Sequence, residues 1–182
     1  MSCYTSLHEI LKKDPNANQA SIANYSLGLA NSYWGKKKLD EALTYAQQAL
    51  VINESITSDN DLNLAINLGI IANIHHGLGK TSEALTAATR ALTLLERCAP
   101  SNSPNLARIL YNIGAIQLTA GVLSDARNSL DRALQIYEKT LPEEHPTLAE
   151  LKTTIHRIDQ VEQDQTKNST EDSPDDSFPA AE

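Results

Sequence analysis

A chain of 182 residues with 41% hydrophobic but only 4% aromatic residues has room for one or two ordinary domains, and its core has to come from alanine, leucine and isoleucine, side chains that suit helices. The net charge of −8 is uneven: residues 159–182 hold eight acids and one base, −7, which leaves −1 for residues 1–158. A near-neutral body whose longest basic run is Lys36-Lys37-Lys38 lacks the basic stripe that nucleic acid requires, and no window approaches the roughly 20 apolar residues of a membrane span.

The opening MSCYTSLHEILKK has no uninterrupted apolar stretch for a signal sequence, and Cys3 and Cys98 stand alone without CxxC pairing. Two reduced thiols in a cytoplasmic protein are expected. Residues 1–19 read as a partial helix or cap.

From residue 20 the chain repeats itself. WGKKKLDEAL at 34, HGLGKTSEAL at 76 and LTAGVLSDAR at 118 are each offset by 42 residues. In the same register stand Ala42, Ala84 and Ala126, then Ala49, Ala91 and Ala133, then Glu54, Glu96 and Glu138. Upstream, Ile22, Leu64, Leu106 and Leu148 share one register and Ala23, Ala65, Ala107 and Ala149 the next. Apolar spacings of three and four residues predict two helices per unit, as in NLARILYNIGAIQL and DARNSLDRALQIYEKTL. First helices are expected to start at Asp61, Ser103-Pro104 and His145-Pro146 and to close near Gly35, Gly77 or Gly79, and Gly121, with Asp40, Ser82 and Ser124 capping the second helices.

The run Gly79-Lys80-Thr81-Ser82 imitates a phosphate loop, but that motif needs a glycine where Ile74 stands and a β-strand before it. A turn between two antiparallel helices accounts for it better. Units at 20–61, 62–103 and 104–145, followed by a capping helix to 158, predict an all-α fold: an α-solenoid of stacked antiparallel helix hairpins. Residues 159–182 are expected to form an acidic disordered tail.

These residues resemble the tetratricopeptide repeat family, in the longer 42-residue form of kinesin light chains, whose signature is similar to ALQIYEKTLPEEHPTLA at 133–149. The small residue of the first helix is Ala30, Ala72 and Gly114, while the aromatic three places on is Tyr33, then His75 and Gln117. The resemblance implies a right-handed solenoid, with YTSLHEILKK at 4–13 as the remnant of a preceding second helix, and a concave groove lined by Asn24, Leu27, Gly28 and Asn31, by Ile66, Ile70 and Asn73, and by Arg108, Tyr111, Asn112 and Ala115. Asparagines that both donate and accept suit an extended peptide. The carboxylate clamp by which some relatives hold acidic chaperone tails would fall on Leu27, Asn31, Ile70, Arg108 and Asn112, and Leu27, Ile70 and Asn112 do not match it, so such tails are not the expected partner.

No catalytic, metal or cofactor constellation emerges. His75 and His76 point about 100° apart on a helix and lack acidic or thiol company, and no nucleophile and base stand at a motif spacing. The expected function is a non-catalytic adaptor binding a protein or peptide, with no nucleic acid, membrane or cofactor. The alternative is a fragment or relative of a larger repeat-containing protein with its effector domain elsewhere.

Overall fold

The computed structural model describes residues 19–56 and 62–171, with side chains through Asp164. These residues form seven helices: α1 Gln19–Gly35, α2 Leu39–Ile56, α3 Leu62–Gly77, α4 Thr81–Cys98, α5 Pro104–Thr119, α6 Leu123–Thr140 and α7 Pro146–Glu171. The closest packing joins α1 to α2, α3 to α4 and α5 to α6, and each hairpin rests on the next through α2 on α3, α4 on α5 and α6 on α7. The backbones of the odd helices also approach one another along the stack, α1 to α3 and α3 to α5, whereas those of the even helices do not. A stack whose odd row is tighter than its even row is curved, with the odd helices on its inner face. The molecule is an all-α helical repeat solenoid.

The periodic alanines lie where the helices cross. Ala42, Ala84 and Ala126 have no solvent exposure, nor do Ala49, Ala91 and Ala133. At the Gly114 crossing an added methyl would press on the Leu130 side chain and the Ala126 carbonyl. Backbones this close leave room for a methyl group or a hydrogen, and a larger side chain would force the helices apart. One apolar core runs from α1 into α6, and a second, built from Ala126, Leu130, Leu151, Ile155 and Ile158, seats α7 on α6.

The turns inside the hairpins share one geometry. Gly79 and Gly121 are left-handed, with φ of 73° and 77°. Around the first, Lys80 N–H donates to the His75 carbonyl at 2.9 Å and Gly79 N–H to the His76 carbonyl at 3.0 Å, the pair of bonds that ends a helix at a left-handed residue. Gly79 is thus the end of α3 and not part of a phosphate loop. In the first hairpin the equivalent residue is Lys37, with φ 58°, and not Gly35.

Asp40, Ser82 and Ser124 do not cap their helices. The capping positions of α4 and α6 are Lys80 and Val122, without side-chain bonds. The connection is so short that one residue closes the first helix and opens the second. Lys80 gives its N–H to His75, and its carbonyl accepts from Ala84 N–H at 2.9 Å; Lys38 and Val122 repeat this. Ser103 stands at the α5 cap before Pro104, also without a side-chain bond. At α7, His145 Nδ1 accepts from Thr147 N–H at 3.3 Å. Asp61 lies outside the described residues.

The boundary expected at 159 falls inside α7, which continues to Glu171. Ile158 is buried against α6, and Asp159 accepts from the Arg127 guanidinium, which also reaches Asp131. One of the acids that suggested a solvated tail, Asp159, is an ion-pair partner between α6 and α7. Residues 1–18 and 172–182, to which the remaining terminal expectations apply, lie outside the described residues.

Candidate functional site

The inner face gathers four of the expected groove residues. Asn31, Ile70, Asn73 and Arg108 line a small cavity of about 80 Å³ together with Trp34 and Ile74. It is drawn from α1, α3 and α5, so the stacking of all three hairpins positions it. Asn31 is exposed and Asn73 partly buried. Ile70 keeps only 9% of its surface and serves as wall. Arg108 is partly buried, and burial pulls its guanidinium below its ordinary range, with Tyr137 opposing the shift. The group remains a cation at neutral pH. Among the described residues no carboxylate pairs with it.

The other expected residues stand apart from this cavity. Leu27, at 9% exposure, belongs to the apolar core. Asn24 is exposed and Ile66 half-buried. Tyr111 donates its hydroxyl to Glu150 Oε1 of α7 at 3.1 Å, and burial with that bond pushes its phenol up. Asn112 is partly buried, and its Nδ2 is closed to solvent and unpartnered among the described residues. Its donor is not presented to the groove. Gly28 and Ala115 are half-buried.

Two cavity residues escaped the sequence reading. Ile74 is almost wholly buried, and Trp34 is 38% exposed. Trp34 lies where an added methyl at Gly77 would meet its ring, so a glycine of the second unit makes the seat for an indole of the first. A tryptophan one turn after Asn31 on the same helix was the available signal.

The cavity thus brings together an indole, two amides, two isoleucines and a guanidinium that no carboxylate of the described residues pairs. The cavity lining contains no acid, histidine, hydroxyl or thiol. A larger hollow of about 640 Å³ lies between α6 and α7, but its cation, Arg127, is already paired with two carboxylates. His76 Nε2 is 2.8 Å from Thr119 Oγ1. No group of three potential metal ligands occurs among the described residues, and none of their helices is long and apolar enough to cross a membrane.

Comparison with curated proteins gives no match. Among solved structures, BtubC (BKLC) from P. vanneervenii superposes with a TM-score of 0.79 at 16% identity over 98% of this chain and 76% of that one. A putative kinesin light chain from Podosopora anserina with nearly identical TPR-like repeats gives 0.72 at 17% over 92% and 79%. The first TPR of Spaghetti (RPAP3), bound to an HSP90 peptide, gives 0.60 at 18% over 78% and 94%. At these identities the likeness is one of fold. Two profiles of one family match the sequence itself, over residues 19–97 and 105–147. The chain belongs to the tetratricopeptide repeat family.

Proposed function

We propose that this protein is a non-catalytic adaptor that holds an extended segment of a protein partner on its inner face, centred on the cavity of Asn31, Trp34, Ile70, Asn73, Ile74 and Arg108. The observation that carries this reading is Arg108. A guanidinium that has lost water through burial and finds no carboxylate among the described residues is costly to keep, and an acidic side chain of a ligand would repay it with charge-assisted bonds. Asn31 and Asn73 supply the donors and acceptors that a peptide backbone needs, and Trp34 adds a flat apolar platform.

A whole cage for a terminal carboxylate is not part of this reading. Leu27 and Ile70 are apolar and nearly buried, and the Asn112 donor is shut away. A neighbour of the same fold solved with a bound peptide supports a peptide as the ligand class. A cytoplasmic setting fits the free thiol of Cys98.

The test is affinity capture with the intact chain beside an Arg108→Ala chain of equal stability. Partners retained by the first and lost by the second support the inner face. Identical partner sets from both would refute it.

A further inference from the structure

We propose that the α3–α4 hairpin is an acid-sensitive joint, in which a proton taken up by His75 makes a buried ring N–H for which the described residues offer no acceptor. The three hairpins fill one internal contact differently, at positions 42 residues apart. In the first, Tyr33 of α1 stacks on Tyr45 of α2, with centroids 5.4 Å apart and planes 12° from parallel. In the third, Ser129 of α6 donates to Gln117 Oε1 of α5 at 2.8 Å. In the second, the register sets His75 opposite Ala87, whose methyl group offers neither donor nor acceptor.

The consequence is seen at one atom. His75 Nδ1 is closed to solvent and has no hydrogen-bond partner among the described residues. A neutral imidazole accommodates this by keeping its proton on Nε2 and a bare lone pair on Nδ1. The imidazolium carries N–H on both nitrogens, so a buried Nδ1–H gives up water and gains no acceptor.

The surroundings do not rescue the cation. Burial, first, and the Lys80 ammonium at the turn hold His75 below the ordinary imidazole value, while Glu83 of α4 pulls the other way. Lys80 and Glu83 are the charged groups that act on the ring among the described residues. From α2, Leu43 holds the register that Arg127 of α6 holds beside Asp159, so an apolar side chain stands where the equivalent site has a cation. The adjacent His76 pairs with Thr119 of α5.

The unfolded chain therefore takes up this proton first. The joint keeps its full stability above about pH 6.5 and loses it as pH falls through the lower folded value. Asn73 and Ile74 immediately precede His75 on α3 and line the cavity, so loosening the joint would disturb that wall; this last consequence rests on the proposed function.

The experiment compares thermal midpoints at about pH 7.5 and about pH 5 for the native chain, His75→Gln and Ala87→Ser, without any ligand. The native chain should lose roughly 2–4 °C more on acidification than His75→Gln. Ala87→Ser should narrow that excess, since a hydroxyl oxygen there can accept from the Nδ1–H of the imidazolium. Equal acid losses in the native chain and His75→Gln would overturn the proposal. So would a His75 ring that titrates by NMR at or above about 6.5 in the native chain, a readout that needs no variant to fold.

Discussion

The two faces of the solenoid treat their arginines differently. On the even helices, Arg90 reaches Glu54 at 2.8 Å and Arg132 reaches Glu96 at 2.7 Å, the same pair repeated one unit on. Glu138, which would await a third such arginine, takes Lys152 of α7 at 2.8 Å. On the odd helices Arg108 is more buried than these and has no carboxylate among the described residues. The outer face thus balances charge between successive units, whereas the inner face keeps a desolvated cation beside two amides and an indole. Unsatisfied polar groups mark where a partner is to be sought, and repetition alone does not.

The comparison presumes that both faces hang on the same tight crossings. Replacing Ala84 or Ala126 with leucine should cost about 1–3 kcal/mol by overpacking, measured by urea unfolding, and should weaken any ligand of either face together. A cost near zero would mean that the crossings are looser than their buried alanines indicate.

A smaller effect of opposite sign is expected at the first turn. Lys37 holds a left-handed backbone that its equivalents give to Gly79 and Gly121. Lys37→Gly should stabilise the chain by about 0.5–1 kcal/mol and leave both faces untouched, whereas Gly79→Ala should destabilise it. The second follows from strain alone, since nothing lies within 4 Å of the added methyl. A destabilising Lys37→Gly would contradict the reading of that turn.

The smallest effect belongs to the outer ladder. Arg132→Ala should cost between about 0 and 1 kcal/mol, falling with added salt, because both partners are well exposed. A larger, salt-independent loss would show that the ladder is structural and would erase the contrast with Arg108.

Much of this architecture was legible because a repeat states its contacts several times. Ala42, Ala84 and Ala126 marked the crossings, and Gly79 and Gly121 marked the turns. What escaped was carried by single copies or by backbone. Lys37 gives no sign that it is left-handed, since φ is not written in a side chain. Asp40, Ser82 and Ser124 looked like caps, but the connecting backbone satisfies itself. The end of α7 was missed because Asp159 reads as a solvated acid until Arg127 is found facing it from α6. Trp34 was missed because its seat, Gly77, lies in the next unit.

The most direct test sets the two faces against each other with one partner. Asn73→Ala with Arg108→Ala on the inner face is compared by calorimetry with Gln47→Ala and Thr89→Ala, two exposed outer residues in register. The inner pair should weaken binding by roughly 1–3 kcal/mol with little change in melting temperature, and the outer pair should leave the affinity where it was. Equal losses from the two pairs, or a melting temperature that collapses only in the inner pair, would contradict the assignment of the binding surface.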